Sequence, residues 1–262
     1  MRRNTKNSLI KNQHLPGETF YWPAGPVGIL LLHGFTATTA EVRPLAVSLA
    51  AQGYTILAPL LPGHNTTPAD LNSCQWGDWV KVAESAYITL REQCQTILVG
   101  GESMGGLLAL YLASQYSDIA AVMAYAPALK LNISRTNRIQ LNILALVKPY
   151  VKKPQIDDNT PWQGYTVNPL KGVIQLLKFQ EVVRMKLPDI TQPLLIIQGR
   201  LDPTVHPSVP DMLSSQVQST NIEVHWMERS AHVVILDQEH EEVEKITQKF
   251  IARVVESENM HN

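Results

Sequence analysis

The sequence predicts an α/β protein with a doubly wound, mostly parallel sheet and a small helical cap insertion. Three observations favour this fold class: short apolar runs that end at Gly or Pro, helical patterns between them, and one long interruption of this alternation. Alternating strands and helices imply right-handed βαβ crossovers. Such crossovers put helices on both faces of the sheet.

The predicted strands are short runs rich in branched apolar residues. The first, residues 27–32, is apolar throughout and is bounded by Gly25-Pro26 and His33-Gly34, as expected of a strand buried on both faces. Similar runs follow at 55–58, 96–99 and 194–197, with looser versions at 119–125 and 222–226.

Helical patterns separate these strands, at residues 41–52, 76–92, 104–115, 211–218 and 238–255. The alternation stops at residues 128–187, where helical patterns around 139–147 and 170–185 are joined by a proline-containing stretch. We therefore predict a core of residues 18–127 and 188–262, a cap formed by the insertion 128–187, and a flexible N-terminal tail at 1–17.

Composition excludes several classes of protein. The chain of 262 residues is 45% hydrophobic and 17% charged, in the range of soluble globular proteins. Its net charge of −1 gives no electrostatic basis for binding nucleic acid. Cys74 and Cys94 are too few for a disulfide framework and lack metal-ligand spacing. Without a secretory leader or an apolar run of about 20 residues, we expect a cytoplasmic protein.

Charge is distributed unevenly along the chain. Residues 128–187 contain ten Lys or Arg and three Asp or Glu, which gives a net charge of +7. The rest of the chain contains twelve Lys or Arg and twenty Asp or Glu, which gives a net charge of −8. The basic cap can neutralise the acidic core across their interface. The functional hypothesis is a transient contact with anionic lipid surfaces or acidic substrates, which salt would screen.

One motif carries the chemistry. Residues 96–100 lead into Gly101-Glu102-Ser103-Met104-Gly105-Gly106, and a helical pattern follows. This is G-x-S-x-G in the strand–turn–helix context that the motif requires. The sharp turn strains the backbone at the serine, and glycines two residues before and after it let strand and helix approach. Ser103 is therefore the predicted nucleophile.

A serine hydroxyl needs a base and an orienting carboxylate, which in this arrangement follow in the chain order Ser, acid, His. The loop after strand 194–197 offers Asp202, and the loop after strand 222–226 offers His232. Asp189 precedes its strand and Asp237 lies beyond the histidine, so both are weaker candidates. For His33 and His64, which lie in loops facing the site, structural hydrogen bonding is the favoured role.

The negative charge of a tetrahedral intermediate requires backbone N–H donors. The amide of Met104, directly after the nucleophile, is one predicted donor. The second is expected from the loop that follows the first strand, where we choose the amide of Phe35.

The motifs His-Gly-Phe-Thr, Gly-Glu-Ser-Met-Gly-Gly, Arg-Leu-Asp and Ser-Ala-His-Val, in this order, resemble the bacterial carboxylesterase and monoacylglycerol lipase branch of the α/β-hydrolases. The resemblance runs from about Pro26 to the last helix and is weakest in the cap. It implies the triad Ser103, Asp202 and His232, the oxyanion donors Phe35 and Met104, no metal and no cofactor. Glu102 stands where many bacterial relatives have an apolar residue.

The resemblance also implies a lid over an apolar acyl pocket, with Ile143, Leu146 and Val233 as candidate substrate contacts. The apolar cap residues can equally be ordinary core. The expected function is hydrolysis of short to medium acyl esters or monoacylglycerols. Acyl transfer, amide cleavage by the same triad, and a receptor without catalysis remain alternatives.

Overall fold

A computed structural model describes residues 9–153 and 160–261. Within these ranges the strands are β1 (Ile10–Lys11), β2 (Phe20–Trp22), β3 (Val27–Leu32), β4 (Thr55–Ala58), β5 (Thr96–Glu102), β6 (Ala121–Tyr125), β7 (Tyr150–Lys152), β8 (Gly164–Tyr165), β9 (Val167–Pro169), β10 (Leu194–Gly199) and β11 (Ile222–Met227).

The helices of the same ranges are α1 (Arg43–Ala50), α2 (Pro68–Ser73), α3 (Trp76–Gln93), α4 (Met104–Gln115), α5 (Arg135–Val147), α6 (Leu170–Lys186), α7 (Val209–Gln216) and α8 (His240–His261), with a 3-10 turn at Leu187–Asp189. Among the described residues, no helix combines the length and apolar character needed to cross a bilayer.

The central sheet contains seven strands in the order β11-β10-β6-β5-β3-β4-β2. Six of them are parallel, and β2 joins the edge antiparallel to β4. The predicted fold class is therefore confirmed. The edge strand β2 was not predicted, because three residues are too few to show a strand period.

Alternate residues of the central strands enter two cores on opposite faces. Leu30 and Leu32 of β3 pack on the face covered by α3, α4 and α6. Ile29 and Leu31 pack on the other face, with α1 and α8. The period of two along a strand explains why strands buried on both faces are continuously apolar in sequence.

The tail prediction is wrong for residues 9–17, while residues 1–8 lie outside the described residues. Strand β1 pairs antiparallel with β8 of the insertion, matching Ile10 with Tyr165. The side-chain amide of Asn12 donates to the carbonyl of Trp162 at 2.8 Å. The sequence did not predict this strand, because the segment is polar and its partner strand is about 150 residues away in the chain.

Residues 128–187, referred to below as the insertion, leave the sheet after β6 and return before β10. The described part of the insertion, residues 128–153 and 160–187, contains α5, β7, β8, β9 and α6. Strands β7 and β9 pair antiparallel, so the insertion forms a small sheet of its own. Helix α5 packs against α6, and α6 packs against α4 of the core.

Candidate active site

Ser103 lies between the end of β5 and the start of α4, in a strained backbone conformation. Its φ is 55° and its ψ is −108°, a region that residues with a Cβ rarely adopt. The amide of Ser103 donates to the carbonyl of Tyr125 at 2.8 Å, and its carbonyl accepts from Ala128 at 3.1 Å. These bonds fix the turn and offset the strain.

The glycines of the motif permit a close approach between β3, β5 and α4. A Cβ on Gly105 would lie 1.9 Å from the carbonyl oxygen of Leu32, and a Cβ on Gly101 would lie 2.4 Å from the carbonyl carbon of Gly105. Neither position can hold a larger residue without backbone movement. The motif is therefore required by packing as well as by the turn.

Ser103, His232 and Asp202 form a continuous chain of hydrogen bonds. The Ser103 Oγ lies 2.9 Å from Nε2 of His232, and Nδ1 of His232 lies 2.8 Å from Oδ2 of Asp202. The three come from the β5–α4 turn and from the loops after β11 and β10. With Nδ1 donating to the carboxylate, Nε2 is free to accept the serine proton. The arrangement can therefore activate the hydroxyl for attack on an electrophilic carbon.

The carboxylate of Asp202 is held ionised and in one orientation. Its Oδ1 accepts from the amides of Thr204 at 2.7 Å and Val205 at 3.0 Å, and its Oδ2 accepts from Nε2 of Gln198 at 2.8 Å. Burial raises the pKa of Asp202, but the hydrogen bonds from His232 and these amides outweigh burial and lower it below its ordinary value.

Gln198 was missed by sequence reasoning. It is fully buried at the end of β10, where a polar residue interrupts an apolar run. That interruption, four residues before Asp202, is the signal in the sequence that could have identified it.

The loop after β3, residues 34–41, is named the oxyanion loop after its predicted role, and His33 fixes its start. Nε2 of His33 accepts from the amide of Leu61 at 3.1 Å, so Nδ1 carries the proton and donates to the carbonyl of Gly34 at 2.9 Å. That carbonyl and the amide of Phe35 belong to one trans peptide and point in opposite directions. Burial lowers the pKa of His33 to about 4, so it stays neutral.

The two predicted oxyanion donors are backbone N–H groups that make no hydrogen bond in the described turns and loops. The amides of Phe35 and Met104 donate to no protein acceptor there. Met104 is the first residue of α4, where an amide has no partner within its own helix. Both amides therefore lack a protein acceptor among the described residues, as the predicted role of oxyanion donor requires.

Glu102, directly before the nucleophile, is fully buried. Neither of its carboxyl oxygens makes a hydrogen bond of good geometry to a described residue, although the backbone amide of Ile235 is close enough to act against the rise in its pKa. Burial, and then the nearby carboxylates of Glu41 and Asp202, raise the pKa of Glu102 well above its ordinary value. Burial and the neighbouring carboxylates therefore both favour the protonated, uncharged form of this group.

The rival acids have other partners. Asp189 lies in the 3-10 turn and pairs with Lys186 at 3.4 Å. Asp237 accepts a hydrogen bond from the amide of Ala231 at 2.6 Å and so stabilises the loop that carries His232. Neither is hydrogen-bonded to His232.

The candidate substrate contacts occupy different environments. Ile143 and Leu146 are 63% and 83% exposed on α5, so they are not core. With Lys171 and Ile174 they line an open, mostly apolar groove of about 430 Å³, and no triad residue lines this groove. Val233 is half-buried directly after His232.

Within residues 9–153 and 160–261, no three His, Cys, Asp or Glu side chains are grouped as metal ligands. Cys74 and Cys94 are free thiols, and both are half-buried.

Known proteins resemble this chain in sequence and in structure. Residues 27–239 match the family model of the serine aminopeptidases, S33. A thermostable monoacylglycerol lipase from Bacillus sp. (strain H-257) is 33% identical over 241 residues, which cover 90% of this chain and 94% of the relative. A carboxylesterase from Bacillus subtilis (strain 168) is 28% identical over 242 residues, covering 90% and 96%. A structure of the metagenome-derived lipolytic enzymes LipS and LipT has a TM-score of 0.85 at 31% identity, covering 91% and 99%.

Proposed function

Because the chain belongs to the serine aminopeptidase S33 family, we propose that Ser103, His232 and Asp202 hydrolyse carboxylic esters through an acyl-enzyme. The chain is a lipase- or esterase-like hydrolase of the α/β-hydrolase fold. The observation that carries the assignment of residues is the pair of hydrogen bonds, 2.9 and 2.8 Å long, that link serine, imidazole and carboxylate.

The proposed reaction has two acyl-transfer steps. Oγ of Ser103 bonds to the ester carbonyl carbon while its proton passes to Nε2 of His232. The imidazolium then donates this proton to the leaving alkoxy oxygen as the carbon–oxygen bond breaks. Water attacks the acyl-enzyme in the same way, releasing the acid and restoring the serine. Asp202 keeps the imidazole in one tautomer and stabilises its positive charge.

The oxyanion of each tetrahedral intermediate is proposed to bind the amides of Phe35 and Met104. Loss of one such donor typically costs about 10²- to 10³-fold in kcat. The proposed substrates are short to medium acyl esters or monoacylglycerols. Val233, which directly follows His232, is the proposed contact with the substrate near the triad.

A fluorophosphonate probe tests the nucleophile. We expect stoichiometric labelling of the wild-type chain and none of Ser103→Ala, whose kcat on p-nitrophenyl butyrate should fall by about 10⁴-fold or more. Ser114→Ala is the matched control, because its hydroxyl donates to the carbonyl of Tyr111 and accepts from the side-chain amide of Gln115, both within α4. A folded wild-type chain that neither reacts with the probe nor cleaves any ester would favour the alternative of a receptor without catalysis.

The substrate class needs a separate panel of substrates, since the family is one of aminopeptidases whereas the relatives are a monoacylglycerol lipase and a carboxylesterase. We expect hydrolysis of p-nitrophenyl esters and monoacylglycerols and little release from aminoacyl p-nitroanilides. Faster cleavage of the anilides would favour the aminopeptidase alternative. A rise in ester product when an alcohol is added would reveal acyl transfer.

We also propose that the exposed face of α5 contacts the lipid surface that supplies the substrate. Leu144 and Ala145 face inward, whereas Ile139, Ile143 and Leu146 are exposed at helical spacing. Exposed lysines lie on the same part of the insertion: Lys148, Lys152, Lys171 and Lys178. An apolar patch flanked by cations fits a membrane surface with anionic lipids.

A further inference from the structure

Several contacts hold the insertion against the oxyanion loop. The amide of Tyr165 donates to the carbonyl of Thr36 at 2.9 Å, and Oγ1 of Thr38 donates to Oε1 of Gln163 at 2.7 Å. Nζ of Lys153 donates to Oγ1 of Thr36. The loop that provides the proposed oxyanion donor Phe35 is thus bound on its outer side by the insertion.

The carboxylate of Glu41 joins these two parts of the chain. Its side chain is buried, with the residue 2% exposed. Oε2 accepts from the amide of Gly34 at 2.6 Å, whereas Oε1 accepts from the indole Nε1 of Trp162 at 3.0 Å. One bond therefore reaches the core loop and the other reaches the insertion.

This carboxylate lies beside the nucleophile. A Cβ on Gly34 would be 3.1 Å from Oε2 of Glu41 and 3.4 Å from Cβ of Ser103. Position 34 is thus within contact distance of both groups, which places the carboxylate near the nucleophile. Any shift of the carboxylate moves the Gly34 peptide, and with it the next peptide, which carries the Phe35 amide.

We propose that Glu41 is a positioning residue that couples docking of the insertion, through Trp162, to the geometry of the oxyanion hole. The inference rests on the proposed function, because it concerns stabilisation of the oxyanion formed on the substrate of Ser103. When Trp162 donates to Glu41, the carboxylate holds the Gly34 amide, and the loop keeps the Phe35 amide directed at the site.

The charges around Glu41 explain why both donors are needed. It faces Lys153 of the insertion, His232 of the triad and Glu102 of β5. A carboxylate close to a developing oxyanion opposes its charge unless donors and cations compensate it. Burial raises the pKa of Glu41 to about 6, although the bonds from Gly34 and Trp162 and the charges of His232 and Lys153 act against burial.

The test compares Glu41→Gln, Trp162→Phe and the double variant with the wild-type chain. Trp226→Phe is the matched control. Trp226 lies on the edge strand β11, where its ring contacts the guanidinium of Arg200 and takes no part in the contacts between the insertion and the oxyanion loop. The measurements are kcat and KM for p-nitrophenyl butyrate, and Ki for a trifluoromethyl ketone with the same acyl chain, which binds as an oxyanion. Thermal unfolding establishes that each variant is folded.

We expect each single substitution to lower kcat at least tenfold with KM changed less than about twofold. Ki for the ketone should rise in parallel with the loss of kcat/KM. The double variant should be no slower than the slower single variant, since Trp162 acts on the loop only through Glu41. The acid limb of the kcat profile should move to higher pH in Trp162→Phe, because Glu41 loses a donor that lowers its pKa.

If Glu41→Gln does not fold, Trp162→Phe decides alone, since it keeps an aromatic ring in the same space. An active wild-type chain with unchanged kcat and Ki in Trp162→Phe overturns the inference and leaves the proposed hydrolysis intact. Strictly multiplicative losses in the double variant also overturn it. If the proposed function itself is wrong, the result is different: the wild-type chain is neither labelled by the fluorophosphonate probe nor able to cleave esters.

Discussion

Two carboxyl groups, those of Glu41 and Glu102, are buried close to the triad in contrasting environments. Glu41 accepts two hydrogen bonds, whereas neither oxygen of Glu102 makes a hydrogen bond of good geometry to a described residue. A buried polar group without a partner loses its hydration and gains nothing in exchange. Glu102 therefore carries a cost in stability that the rest of the fold offsets.

At the residue scale, Glu102→Met should raise the free energy of unfolding by about 1–3 kcal/mol at pH 8, the usual penalty for an unsatisfied buried group. In a chain of this size that corresponds to roughly 2–4 °C in Tm per kcal/mol. The raised pKa means that native Glu102 keeps a proton that the unfolded chain releases above about pH 4.3, so wild-type stability falls as pH rises.

Thermal unfolding of both proteins between pH 5 and 9 measures this linkage. The gain from Glu102→Met should shrink toward pH 5. Glu92→Met, on the exposed face of α3, is the control and should change Tm little at any pH. A gain that is the same at pH 5 and pH 9 would contradict a raised pKa for Glu102.

At the scale of elements, the site depends on how closely α4 approaches β3 and β5. The helix begins directly after Ser103, so its position sets both the nucleophile and the Met104 amide. Glycines at the crossing allow this approach, and the buried face of α4 then packs along the sheet. The precision of the site therefore comes from packing between regular elements rather than from the loop alone.

Gly105→Ala should destabilise the chain by about 3 kcal/mol or more, because the new methyl group would overlap the carbonyl of Leu32. Gly77→Ala is the matched substitution in α3, where a Cβ meets nothing within 4 Å. Alanine should be neutral there or stabilise by up to about 1 kcal/mol. Urea unfolding of both variants measures the difference, and equal stabilities would refute the packing argument.

At the scale of the whole molecule, charge and apolar surface are concentrated in the insertion. Its net charge is +7 against −8 for the rest of the chain. Some of the cations are paired, since Arg138 and Arg184 both bind Glu181. The proposed lipid contact therefore depends on the exposed lysines around α5.

Hydrolysis of monoacylglycerol in phosphatidylglycerol vesicles should therefore fall severalfold when salt rises from 20 to about 500 mM, since the Debye length shrinks to a few ångströms. Phosphatidylcholine vesicles should show little salt dependence. Ile143→Ser combined with Leu146→Ser should weaken vesicle binding while leaving cleavage of a dissolved ester unchanged. Val47→Ser, at an exposed position on α1, is the control.

Equal rates at both salt concentrations on anionic vesicles would contradict the role of the lysines. Unchanged vesicle binding by the Ile143 and Leu146 double variant would contradict the role of the apolar face of α5.

The sequence alone determined the parts of the protein that depend on local pattern. Six strands of the sheet, its α/β class and the glycine-flanked Ser103 are encoded within windows of a few residues, since burial on both faces and a strained turn each restrict neighbouring residue types. Chain order singled out Asp202 and His232, and the resemblance of the motifs to bacterial carboxylesterases and monoacylglycerol lipases predicted an esterase-like hydrolase.

Only the tertiary structure decided what lies around these residues. The bond from Trp162 to Glu41 spans 121 positions, and the pairing of β1 with β8 spans about 150. The exposure of Ile143 and Leu146 and the isolation of Glu102 likewise depend on which elements pack together. Contacts between distant segments leave no periodic signal in either segment, because each partner is shaped by a surface that the other supplies.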